Sequence, residues 1–144
     1  MAYDSAAVLT QLNSILAGLS GMGLAQIGAP ESVGPRVSAY VTLGSQAPTR
    51  PAGGLTQRQS RFFCMFAYRV DGSEAMAETT LAALVDAFFQ AIHDDLTLAG
   101  TVHTAEVESQ AADEPEYQLR AGKEYREYPV MITVTQRSTY AVNP

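Results

Sequence analysis

The sequence predicts an α+β fold: a small mixed, mainly antiparallel four-stranded sheet with an N-terminal helix and a long crossover helix, in the order α-β-β-α-β-β. Three features carry this. Arg61 to Val70 is aromatic-rich, lacks Gly and Pro, and is apolar on both alternating faces, as a central strand covered on both sides reads. From Ser73 to Asp94 the period becomes helical, with Ala77, Leu81, Leu84, Val85, Phe88 and Ile92 on one stripe. Two further segments, Val37–Leu43 and Tyr128–Gln136, alternate with the period of two expected of half-buried strands.

In chain order, Asp4 or Ser5 can cap a first helix whose apolar stripe is Val8, Leu12, Ile15, Leu16 and Leu19, ended by Gly21 and Gly23. Gly28, Pro30, Gly34 and Pro35 mark irregular chain before the strand Val37–Leu43. Gly44 to Ser60, rich in Pro and Gly, reads as a long loop, either functional and mobile or an unstructured hairpin tip. Asp71-Gly72 turns the central strand into the long helix, where each larger stripe residue contributes roughly 1.5–3 kcal/mol on burial. His93, Asp94 and Asp95 end that helix with acids where the dipole prefers cations, unless one of them begins the turn into Leu96–Gly100. Val102–Gln110 sets His103, Ala105, Val107 and Ser109 against Thr104, Glu106 and Glu108, a strand with one acidic face. Ala111–Glu127 forms a polar hairpin arm, and Pro129 is tolerable at the start of the closing strand. Residues 1–144 make one domain, with no internal repeat.

An apolar fraction of 47% and a charged fraction of 17% exclude a disordered tail or a coiled coil. Cys64 is the only cysteine, so an internal disulfide is impossible, and its mid-strand position reads as a small buried hydrophobe. The uncharged run Ser5–Pro30 is interrupted by Gln11, Asn13, Gln26 and four glycines. It is therefore read as neither a membrane span nor a secretory signal.

Charge order says more than the net −6. Ser32 to Val70 holds five Arg (Arg36, Arg50, Arg58, Arg61, Arg69) and no acid, whereas Asp71 to Glu116 holds eleven acids and no Lys or Arg. Either the protein has two oppositely charged faces, suited to head-to-tail contact between identical subunits, or the two segments pair inside one subunit. On the first reading Arg50, Arg58, Arg61, Arg69, Asp94 and Asp95 are the candidate interface residues.

Catalytic patterns are weak. Gly18-Leu19-Ser20-Gly21-Met22 has Met22 where a nucleophile elbow needs Gly, and it follows a helix rather than a strand. Gly21-Met22-Gly23 lacks the third glycine of a dinucleotide loop. His93-Asp94-Asp95 has no second group at ligand spacing, so no metal is assigned. Glu106 and Glu108 could act as paired carboxylates, but a solvated acidic strand is the commoner cause. A pI near 4.7 opposes adhesion to nucleic acid.

The order of elements resembles the tail-terminator (tail-completion, head–tail joining) proteins of long-tailed bacteriophages over nearly the whole chain. The resemblance rests on the N-terminal amphipathic helix, Tyr40-Val41-Thr42-Leu43, the aromatic strand Phe62–Tyr68 and the long helix. It continues through Leu96-Thr97-Leu98-Ala99-Gly100-Thr101-Val102, the acidic strand and the closing Tyr128-Pro129-Val130-Met131-Ile132-Thr133-Val134. It implies a structural virion protein, not an enzyme, that forms a ring, usually of six copies, on the head-proximal end of the tail tube. Such a ring stops tube polymerisation and docks the neck, while DNA passes through the lumen without specific binding. No cofactor, metal, catalytic residue or membrane is implied, and Glu106 and Glu108 are the candidate lumen-facing residues. The alternatives are a neck, stopper or tube protein of the same machine, or a small bacterial ligand-binding or enzymatic domain using Glu106, Glu108 and His103.

Overall fold

A computed structural model describes residues 3–29, 37–46, 50–52, 55–70, 73–109, 116–120 and 123–139. The α+β class holds, but the sheet is larger than four strands. Two helices, α1 (Ser5–Ala17) and α2 (Glu74–Asp94), accompany β1 (Leu24–Ile27), β2 (Ser38–Gln46), β3 (Arg50–Ala52), β4 (Leu55–Arg69), β5 (Thr104–Ser109), β6 (Glu116–Arg120) and β7 (Lys123–Thr139). The strands form one mixed sheet in the order β1-β2-β4-β7-β5, with β3 beside β4 and β6 beside β7. Among the described residues only β1–β2 is parallel, and the other pairings are antiparallel.

Both helices lie on one face of the sheet. Val8, Leu12 and Leu16 of α1 and Leu81, Leu84, Val85, Phe88 and Ile92 of α2 are buried with Val41, Phe62, Cys64, Phe66, Val130, Ile132 and Val134, and the sixth stripe residue, Ala77, is buried as well. Asp4 caps α1 by accepting from the Ala7 amide at 3.0 Å, and Ser73 caps α2 by accepting from the Met76 amide at 3.2 Å. By length and composition α2 could cross a membrane, but its stripe is buried against the sheet, the position of a core helix. The Cys64 thiol is buried and pushed up to about 12 by desolvation, which makes it inert as a nucleophile.

Several expectations are corrected. The central strand is covered unevenly: Phe62, Cys64 and Phe66 are buried on the helix side, whereas on the other side Arg61 and Phe63 are exposed, Met65 is half-buried and only Ala67, towards the end, is buried. Leu24–Ile27, to which the sequence assigned no element, is a strand parallel to β2, and most of the irregular chain expected from Gly28 to Arg36 lies outside the described residues. The loop expected over residues 44–60 is largely strand. β2 runs on to Gln46, β3 pairs with the start of β4, and β4 pairs with β7 as far as Leu55–Thr139. Gln57, Gln59 and Ser60 extend a β-pattern whose polar side chains disguise it. Residues 47–49, 53 and 54 of that loop lie outside the described residues. The hairpin arm expected over 111–127 contains β6 and the start of β7, and its residues 111–115, 121 and 122 also lie outside them.

Pro129 is in the middle of β7, not at its start. It is accommodated because β6 stops pairing at Glu127 and β5 begins at Val130, so Pro129 falls in the gap between two collinear neighbours.

The register of β2 and β4 shifts between Leu43 and Gln46, where Gly44 packs under the Phe63 ring. A Cβ at Gly44 would come within 2.7 Å of the ring and 2.8 Å of the Arg61 carbonyl oxygen, which is backbone and cannot swing away. Gly44→Ala should therefore destabilise the fold by about 1–3 kcal/mol in urea unfolding. An unchanged midpoint would mean that the ring contact does not constrain this bulge.

Candidate functional site

The opposite charges that alternate along the sequence are separated across the sheet. β3 carries Arg50 and β4 carries Arg58, Arg61 and Arg69, neither holds an acid, and β1 and β2 carry no charged residue. At the other edge β5 carries Glu106 and Glu108, and α2 beside it carries Glu74, Glu78, Asp86 and Asp94, with no Lys or Arg in either. β7 between them is mixed. The sheet thus runs from an uncharged edge at β1 through an Arg-bearing centre at β4 to an acidic edge at β5.

The candidate residues do not all share one environment. Arg50 lies on β3, opposite Gln57. Arg58 is turned inward on the helix side. Its guanidinium stands 4.3 Å from the Tyr3 ring centre and donates to Ser5 Oγ at 3.2 Å and Gln136 Oε1 at 3.0 Å. That guanidinium ties α1 to the β4–β7 arm, which is a use within the subunit. Arg61 is exposed on the helix-free face, and Arg69 is half-buried at the far end of β4. Asp94 is exposed and accepts from Gln90 Nε2 at 2.8 Å. Asp95 begins the turn after α2: its carboxylate accepts from the Ala99 amide at 2.9 Å, holding Leu98 and Ala99 at the positive φ values of 47° and 56°. Its acidity serves this turn.

Glu106 pairs across from Thr133 and Glu108 from Met131, so both carboxylates share the helix-free face. Glu106 is exposed and Glu108 half-buried. Arg61 also pairs with Thr133, from the other side. One row across the open face therefore reads Arg61, Thr133, Glu106, with the two outer backbones about 10 Å apart at two strand spacings. His103 is exposed just before β5, and the alternation that places the carboxylates on the open face gives no convergent acid–base group there.

Two features escaped the sequence reading. One is an ionic cluster on the helix side. Arg126 of β7, only 8% exposed, donates from Nε to Glu78 Oε1 of α2 at 2.6 Å and from Nη1 to the Glu127 carbonyl. The Tyr117 hydroxyl of β6 donates to the same Glu78 oxygen at 2.7 Å, and the Tyr117 and Tyr128 rings flank the guanidinium. Glu78 is held below its ordinary value chiefly by the Arg126 hydrogen bond, against a smaller upward push from burial. Tyr117 is pushed up to about 12 by its hydrogen bond to Glu78. The alternation Glu124, Arg126, Tyr128 in the closing strand was the available signal.

The other is a groove between the end of α2 and the free edge of β5, lined by Phe89, Ile92, His93, Leu96, Ala105, Glu106 and Val107. Leu96 is 45% exposed there. Among the described residues no group of three His, Cys, Asp or Glu side chains is placed to hold a metal ion. The chain matches no protein-family model and no curated protein sequence.

Proposed function

We propose that this chain is a structural virion protein of the tail-terminator kind. Copies assemble head to tail into a ring, of six by the resemblance, on the head-proximal end of a phage tail tube. The ring ends tube growth and offers a docking surface to the neck. The observation that carries this reading is the segregation of charge, Arg without acid on β3 and β4 and acid without Lys or Arg on α2. Such a subunit is complementary to its own copy in a heterologous contact, and a heterologous contact closes into a ring when its rotation permits. The sequence resemblance supplies the tail context.

Negative-stain images of the purified chain at high concentration and low salt test the assembly. Closed rings are the expected result, with fewer of them as salt shortens the Debye length below about 8 Å. A strict monomer under all conditions contradicts it.

In this ring the helix-free face carries Glu106 and Glu108 toward the lumen, where DNA bearing one charge per about 1.7 Å of axis slides past without adhering. Changing both to Lys should alter stability by less than about 1 kcal/mol, because exposed strand charges contribute little. Rings should still form, and DNA ejection should slow, most at low salt. Parental ejection kinetics at every salt concentration would remove these residues from the channel.

A further inference from the structure

We propose that a pocket on the helix-free face, built where β2 bulges against β4, binds a small oxyanion of phosphate or sulfate size. The pairing of these strands steps from Leu43–Phe62 to Gln46–Ser60, so Gly44 and Ser45 together stand against one residue, Arg61. An extra residue of this kind bends its strand and re-aims the side chains beside it. A pocket of about 250 Å³ opens at that point, lined by Ser45, Gln46, Gln59, Arg61 and Thr133. It is smaller than the roughly 300–1,000 Å³ of sites that take larger organic ligands.

The lining sets the sign of the ligand. Among the described residues Arg61 supplies its only charge, and the others are a Ser, a Thr and two Gln, whose hydroxyls and amides can all donate. Among the described residues nothing pairs with the Arg61 guanidinium, and a planar guanidinium with free donors matches two oxygens of one oxyanion. Gln59 shares the face with Arg61 as an alternate residue of β4, and Thr133 lies directly across from Arg61 on β7. Thr133 is a second, independent mark of an incomplete site, because its Oγ1 is buried without a partner. Rotation about χ1 exchanges Oγ1 with Cγ2 and turns the hydroxyl towards the pocket, where an oxyanion accepts from it. Glu106 stands next in the same row, beyond Thr133, with Glu108 two residues along β5. These carboxylates oppose a polyanion, which has to lie along the open face, more than a compact ion held against Arg61. The ligand is therefore a free oxyanion and not a nucleic-acid backbone. The site lies within one copy and does not rest on the ring reading.

The test is an amide NMR titration of the whole chain with sodium phosphate, run against sodium chloride at matched ionic strength. Phosphate should shift the signals of Ser45, Gln59, Arg61 and Thr133 and saturate, and chloride should not. Arg61→Gln should weaken phosphate binding at least about tenfold, as the loss of a charge-assisted pair does. Thr133→Val should weaken it about threefold or more, yet unfold at the same or a higher urea concentration, because it removes a hydroxyl with no partner in the free protein. That split separates a ligand-binding group from a structural one. Phosphate acting like chloride, or binding Arg61→Gln as tightly as the parent, would overturn the site. A short DNA duplex is the second arm and should leave these signals in place. If the duplex shifts them at a lower concentration than phosphate does, the pocket reads a phosphate backbone and the free-anion assignment is wrong.

Discussion

Phe66→Ala lowers the unfolding free energy by about 3–5 kcal/mol, a large part of the total stability of a domain this size. Phe66 is fully buried near the middle of the core face, and its ring meets Phe88 of α2 edge to face, with centroids 5.7 Å apart and planes at 65°. The truncation removes this aromatic pair and leaves a cavity between α2 and the sheet, which the strands on either side of β4 cannot collapse to fill. Phe88→Ala should cost a similar amount. The double variant should lose less than the sum, because both single changes delete the same contact, worth about 0.5–1.5 kcal/mol. Urea unfolding of the four proteins measures this. A strictly additive cycle would show that the rings contribute by burial alone.

The second large effect is asymmetric. Glu78→Gln should destabilise by about 1–3 kcal/mol, because it leaves the Arg126 guanidinium, whose side chain is 10% exposed, without its carboxylate. Arg126→Met should cost less, because the Glu78 side chain is 44% exposed and returns to water when freed. Equal costs would mean that burial of the guanidinium is not what makes the pair matter. The same cluster sets a pH dependence at both ends. Glu78 has a folded value below its ordinary 4.5, so its contribution is present above that value and is lost as pH falls through the folded one. The Tyr117 hydroxyl, raised from 10.0 to about 12, favours folding below 10 and loses that contribution as pH climbs towards 12. Both dependences should shrink in Glu78→Gln, where the carboxylate that shifts them is gone.

Hydrophobic periodicity revealed the interior well because burial acts on every side chain in the same direction. All six stripe residues of α2 are buried, and Val41, Ile132 and Val134 lie on the core face as their alternation requires. The extension of β4 and β7 beyond the helices was not legible. Gln57 and Gln59 are polar on a stretch held by backbone pairing, and Gln136, though buried, is matched by the Arg58 guanidinium, so neither leaves an apolar signature. β1 was hidden for a related reason: a four-residue edge strand between glycines is too short for a period to show. At the candidate surface, the acidic alternation correctly placed Glu106 and Glu108 together on one face. The inward turn of Arg58 onto Tyr3, Ser5 and Gln136 depends on residues between 53 and 78 positions away, which local pattern cannot bring together.

On the proposed function this chain caps tail tubes as a ring, and its location on them is the most direct measurement. Tail tubes assembled with the chain carrying a small electron-dense label should show the label at one end only, as a ring coaxial with the tube, with no further tube growth beyond it. Label spread along the tube wall, or tubes that grow to the same lengths with and without the chain, would contradict the account.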